Sequence, residues 1–115
     1  MLGRRTILHR LGTGDIVIQP FDERQLGTNS YDIRLAGDYY AFRNTDGPDP
    51  LDIRNEQDVY RLWVGPYQSN INIYVPAKSM ILARTVEVIG GKRRITSKLQ
   101  TRSSVQRWGI DVCGA

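Results

Sequence analysis

Two hydroxyls stand between two arginines in the run Arg102-Ser103-Ser104-Val105-Gln106-Arg107-Trp108-Gly109. Arg107 follows Ser103 by four residues, so one turn of helix beginning at Ser103 puts both on one face. The free N–H groups of such a turn would point the same way and favour an anion. A guanidinium adds a planar fork that matches phosphate oxygens, and serine hydroxyls add donors. The stretch reads as a phosphate cradle. Standing alone, a Ser-Ser doublet between arginines would be a charged surface turn, so the rest of the chain has to decide between the two.

Other chemistries find little support. One histidine, His9, and one cysteine, Cys113, without a Cys-x-x-Cys pair, do not make a hydrolytic zinc site. The zinc nucleobase deaminases carry His-x-Glu followed by Pro-Cys-x-x-Cys, which is absent. Gly12-Thr13-Gly14 has no strand before it and no Lys-Ser/Thr after it, so it reads as a helix stop rather than a nucleotide loop. A Ser-His-Asp triad has no local support. His9 reads as a polar helix residue. The net charge of +4 and the pI near 9.5 suit an anionic partner. Much of the excess sits in Arg4, Arg5, Lys92, Arg93 and Arg94, which read as solvated clusters. The cations are too scattered for a nucleic-acid stripe.

The elements that must position the motif are short. A chain of 115 residues is read as one small domain. Its 11 glycines and 5 prolines, without long apolar runs, favour short strands. Ile7, Leu8 and Leu11 predict a helix over residues 4–11, and Ile16 to Ile18 a strand ended by Pro20. Residues 21–28 read as a loop. Alternation predicts strands over 30–35, 59–64 and 71–75, and another over 39–42 after a Gly37-Asp38 turn. Residues 45–58 read as a loop, Gly65-Pro66 as a strand break, and residues 76–79 as a turn. Met80 to Ile89 reads as the longest strand, Gly90-Gly91-Lys92 as a hairpin, and residues 94–101 as the returning strand. An antiparallel barrel or jelly roll is the expected class. With a single cysteine, no apolar leader and no membrane-length run, a cytoplasmic setting is expected.

The order of these features resembles the dCTP deaminase and dUTPase superfamily. The run from Arg102 to Gly109 is similar to its Arg-Ser-Ser-x-x-Arg-x-Gly phosphate motif. Ile7 to Phe21, with Gly14-Asp15-Ile16-Val17-Ile18 and Pro20-Phe21, resembles the opening helix, strand and Pro-Phe turn of dCTP deaminases. Asn29-Ser30-Tyr31-Asp32-Ile33-Arg34-Leu35 resembles the first motif, and Val75-Pro76 through Ile81–Ile89 the approach to the phosphate motif.

The resemblance implies an all-β, distorted jelly-roll barrel with a short N-terminal helix, assembled as a homotrimer with sites at subunit boundaries. It implies hydrolytic deamination of dCTP to dUTP and ammonia without zinc, with Mg²⁺ carried on the triphosphate. Ser103 and Arg107 would help position the water and the pyrimidine end, and Arg102 and Ser104 would hold phosphate oxygens. Asp32 would match the acidic residue of the first motif, in a structural role or near a water-bound metal. The opening helix and the Ser-Ser doublet favour a deaminase. A dUTP diphosphatase or bifunctional deaminase–diphosphatase, and a non-catalytic nucleotide-binding relative, are the alternatives. No nucleic acid or membrane is expected as a partner.

Departures from the family pattern are visible. Its catalytic glutamate lies downstream of the phosphate motif, and no glutamate follows Glu87 here. Glu87 belongs to the preceding strand and is not read as a general base. The chain is therefore expected to be C-terminally incomplete or to have lost the activity. Thr101 stands where the family usually has glycine. Gln106 and Trp108 replace smaller or aliphatic residues. Trp63 and Trp108 read as packing or subunit-contact residues.

Overall fold

Leu8 and Leu11 share a stripe with Ile7, and that stripe makes Arg4–Gly12 the helix α1, with Ile7 buried. The helix ends as expected. Gly14 takes a φ of +74°, and the Asp15 N–H turns back to the Arg10 carbonyl at 3.0 Å. Strand β1 follows at Ile16–Gln19. The computed structural model describes residues 1–43 and 50–113. Contacts gather the chain into two units, Met1–Asp32 with Val88–Ala115, and Ile33–Glu87.

In the first unit β1 pairs antiparallel with β5 (Val88–Gly91), in the register Ile16 to Gly91 and Gln19 to Val88. Gly90 and Gly91 are thus strand residues and not the hairpin turn expected of them. The turn comes two residues later. The Ile95 N–H donates to the Lys92 carbonyl at 3.1 Å, with Arg93 and Arg94 between them at φ +51° and +67°. Two positive φ values in succession suit the twist of a hairpin, and here arginines adopt them. Gly91 is needed because a Cβ there would run into the Ile95 carbonyl oxygen. Residues 94–101 form no strand. Ile7, Ile18 and Leu26 are the buried apolar side chains of this unit among the described residues.

The second unit holds a three-stranded antiparallel sheet in the order β3-β2-β4. Strand β2 (Leu35–Phe42) runs straight through Gly37 and Asp38, where a turn was expected. The Gly37 carbonyl accepts from Ser69 N–H at 2.8 Å, and a Cβ on Gly37 would lie 2.5 Å from the Ser69 carbonyl oxygen. Glycine is what lets the two backbones meet.

Strand β3 (Trp63–Gln68) likewise runs through Gly65-Pro66. It is an edge strand, so the N–H that proline lacks is not missed, and the pairing with β2 shifts register between Tyr39 and Ala41. Phe42 and Trp63 meet edge-on at 5.6 Å between ring centres, which bears out packing for Trp63.

Two further expectations fail in this unit. Residues 56–61 are the helix α2 (Glu56–Arg61) where loop and then strand were read. The Asn55 side chain accepts from Gln57 N–H at 3.1 Å, and Glu56 and Asp58 fill the first turn, so capping outweighs the alternation of Tyr60, Leu62 and Val64. Residues 44–49 of the expected loop lie outside the described residues. Ile71 to Val75 alternate but form no strand.

The long strand over 80–89 is two strands, β4 (Ile81–Thr85) and β5, parted at Val86-Glu87. The Glu87 side chain, with no exposed surface, turns onto Arg34. It accepts from the Arg34 amide at 2.9 Å and from Nε at 2.8 Å. The Val86 N–H donates to the Arg34 carbonyl at 2.9 Å, closing the same junction.

Among the described residues the sheets are all antiparallel and the helices short, consistent with an all-β class. No closed barrel forms among the described residues, where the strands make one two-stranded and one three-stranded sheet.

Candidate functional site

Ser103–Gln106 form a single helical turn, α3, with Arg102 in the extended cap position (φ −62°, ψ +141°). The Val105 and Gln106 N–H groups both donate to the Arg102 carbonyl at 2.9 Å, and Arg107 N–H donates to the Ser103 carbonyl at 3.2 Å. Ser103 and Arg107 thus share one turn, as their spacing implies. Gly109 leaves the turn at φ +78°. Residues 102–107 all lie in solvent, and Trp108 is 85% exposed.

Two anchors, one on this turn and one on the aspartate beside it, were missed by sequence reasoning. The first is Thr101 with Asp111. The threonine hydroxyl donates to Asp111 Oδ1 at 2.7 Å and accepts from the Val112 N–H at 3.0 Å. Asp111 also accepts from the Val112 N–H at 2.9 Å. The Thr101 hydroxyl, then the Val112 amide, holds the Asp111 carboxyl below the usual carboxylate range. The departure from glycine at Thr101 thus has a use, because its hydroxyl ties off the loop that carries the motif. A hydroxyl and a carboxylate ten residues apart across the motif were the available signal.

The second anchor holds Asp32. Residues 30–35 do not form the alternating strand expected of them. The segment folds back on a short 3₁₀ turn, Glu23–Gln25, with an isolated bridge between Leu26 and Tyr31. Gln25 grips the Asp32 peptide at both ends. Its carbonyl accepts from Asp32 N–H at 2.9 Å and its side-chain amide donates to the Asp32 carbonyl at 2.5 Å. Tyr31 stacks on Phe21 at 5.6 Å and its hydroxyl accepts from Asp22 N–H at 3.0 Å. Leu26 is buried beneath. Apolar burial and side-chain clips thus override the period-2 pattern.

The Asp32 carboxylate stands 3.4 Å from the Arg102 guanidinium. The first motif and the phosphate motif, 70 residues apart in sequence, are adjacent in the fold. Ser104 and Arg107 add further donors from the same turn. Among the described residues no group of three or more His, Cys, Asp and Glu side chains is gathered as a metal cluster. Guanidinium and hydroxyl groups, the side chains carried at α3, are donors suited to an anion. Glu87 is committed to Arg34 within the other unit.

The family model for dCTP deaminase-like proteins matches residues 1–115. The chain belongs to the dCTP deaminase-like family. The chain is 32% identical to the dUMP-forming dCTP deaminase of Leptospira biflexa over 112 residues, covering 97% of this chain and 59% of the relative. It is 31% identical to the dUMP-forming dCTP deaminase of Methanothermobacter thermautotrophicus over 117 residues, covering 96% and 56%. It is 28% identical to the dCTP deaminase of Ignicoccus hospitalis over 100 residues, covering 87% and 54%. The chain thus spans between half and two thirds of the length of these relatives. No solved structure matches it. No helix among the described residues is long and apolar enough to cross a membrane.

Proposed function

We propose that residues 102–107 are the triphosphate-binding part of a pyrimidine nucleotide site, in a protein that hydrolyses dCTP to dUTP and ammonia. The observation that carries this is the helical turn at Ser103, flanked by Arg102 and Arg107, inside a family match that covers the chain. Arg102 and Ser104 donate to phosphate oxygens. Ser103 and Arg107, on one face of the turn, orient the water and the pyrimidine. Mg²⁺, carried on the substrate's triphosphate, would supply charge neutralisation there. The group that activates the water is a glutamate by family resemblance and is not among residues 1–115. The protein acts as a cytoplasmic homotrimer. Ile71 at 89%, Trp108 at 85% and Leu35 at 63% exposed support an assembly that covers more apolar surface than one chain does.

A second reading has its own support. The Leptospira and Methanothermobacter relatives are named dUMP-forming, which favours a bifunctional deaminase–diphosphatase. A polypeptide extended to the relatives' length is incubated with dCTP. Release of ammonia and dUTP supports the first reading, and dUMP with pyrophosphate the second. Binding without turnover would demote the protein to a non-catalytic relative. Arg102→Ala is expected to weaken dCTP binding by about 1.5–3 kcal/mol, roughly 10- to 150-fold, through loss of a charge-assisted hydrogen bond. Unchanged affinity refutes the phosphate assignment.

A further inference from the structure

Among the described residues three ion pairs stand at 3.4 Å, Arg61–Asp58, Arg93–Asp15 and Arg102–Asp32, and Asp32 is the most exposed acid of the three. Asp22 with Arg24 and Asp52 with Arg54 are local pairs, two residues apart, closed at 2.7–3.0 Å. Glu87 with Arg34 is buried on the acid side and closed at 2.8 Å. Arg102 and Asp32 come from opposite ends of the sequence, stand at 3.4 Å, and are 70% and 47% exposed. A charge-assisted bond at full strength closes to about 2.7–2.9 Å, so this pair is a loose one in water.

Both backbones are nevertheless held. Gln25 grips the Asp32 peptide, and the Arg102 carbonyl takes two N–H groups of α3. Only side-chain torsions are free to part the two charges, and the arginine has the longer arm. A carboxylate parked against the guanidinium that is to receive phosphate competes with that phosphate, and it also repels it.

We propose that Asp32 is a resident counter-ion of the phosphate seat, occupying Arg102 until a polyphosphate displaces it, and that Asp32 thereby sets how tightly the site takes its ligand. This rests on the reading of Arg102 as a phosphate ligand. Arg102 exchanges one anionic partner for another, so its charge is never left bare. Gln25 keeps the carboxylate within reach for its return.

The test is a calorimetric titration of the chain with inorganic tripolyphosphate, without divalent cations and at low salt. Asp32→Asn is expected to bind about two- to fivefold more tightly than the parent, the range that an exposed ion pair is worth. The gain shrinks as salt is raised, because screening weakens both the pairing and the repulsion. Asp32→Glu keeps the charge and shows no such gain. Asp32→Ser stands in for the asparagine variant if that variant melts early. Equal or weaker binding by both neutral variants, with Arg102→Ala still abolishing the parent's binding, overturns the counter-ion role and leaves the phosphate site standing. Parent and Arg102→Ala binding alike would instead sink the phosphate reading and the counter-ion role with it.

Discussion

Glu87 supplies the sharpest test of how the second unit is held. Its carboxylate has no exposed surface and takes two donors from a single residue, the Arg34 amide at 2.9 Å and Nε at 2.8 Å. Glu87→Gln keeps the shape. One amide oxygen then faces one donor and an NH₂ group faces the other, so donor meets donor. A hydrogen bond to a charged group contributes about 1.5–3 kcal/mol, and an unsatisfied buried donor adds to the loss. Arg34 is 54% exposed, so water recovers part of its charge and the expected cost sits near 2 kcal/mol. In a chain of 115 residues that is a fall in melting temperature of about 8 °C.

Urea unfolding followed by tryptophan fluorescence suits the measurement. Trp63 is half-buried against Phe42 while Trp108 is already in solvent, so the signal reports chiefly on β3. Arg34→Met takes the guanidinium away from the buried carboxylate and is expected to cost a similar amount. The double variant should cost less than the sum by about 1 kcal/mol or more, since the two side chains are in contact. A coupling below about 0.5 kcal/mol, or a Glu87→Gln protein as stable as the parent, would refute the claim that this pair fastens β2 to the β4–β5 junction.

Three other outcomes follow from named contacts. The Arg10 guanidinium beside Asp15, with Thr13 and Arg93, holds its carboxyl below the usual range although burial pushes it up. A folded value below the unfolded one gives stability that is complete above about pH 4–5 and lost as pH falls through the folded value. The stability difference between the parent and Asp15→Asn, from urea midpoints, should therefore narrow on acidification below about pH 4. Thr101→Val removes the hydroxyl that donates to Asp111 at 2.7 Å, so NMR titration should find the Asp111 carboxyl moved up toward its ordinary value. Hydrogen exchange at Val112 should quicken in the same variant, and Thr101→Ser should restore both. Gly37→Ala places a methyl 2.5 Å from the Ser69 carbonyl oxygen and should destabilise β2 by about 1–3 kcal/mol in urea unfolding.

What was legible in the sequence is what is decided locally. Helix α1 follows from its Ile/Leu stripe, β1 from three β-branched residues before a proline, and α3 from the spacing of Ser103 and Arg107. Where a partner far along the chain decides, the pattern misleads. Nothing near Glu87 announces that it turns onto Arg34, 53 residues away, and so breaks an apolar run into two strands. Alternation at residues 71–75 fixes which side chains share a face and is silent about whether a partner strand exists. Gly90-Gly91 looks like a turn because glycine permits one. The structure spends that freedom on a close approach to Ile95 and lets Arg93 and Arg94 make the turn.

The site shows the same division. On the proposed reading its side chains were legible because a phosphate seat needs arginine and hydroxyl at close spacing. Its anchors were not, because a glutamine gripping a peptide or a threonine clipping a loop has no spacing rule. The anchors explain how an exposed site can still be a definite one. None of residues 102–107 is buried, so core packing does not fix them. Thr101 and Asp111 fix where the turn starts and where its loop returns, and Gln25 fixes the carboxylate beside it. The backbone is set before any ligand arrives, while the tips of Arg102 and Arg107 stay solvated and free to move. An anion then has only side-chain torsions to order, which keeps the entropy of binding small. Loosening the Thr101–Asp111 anchor should therefore weaken phosphate binding even though neither residue touches the phosphate, whereas loosening Gln25 frees Arg102 of its counter-ion.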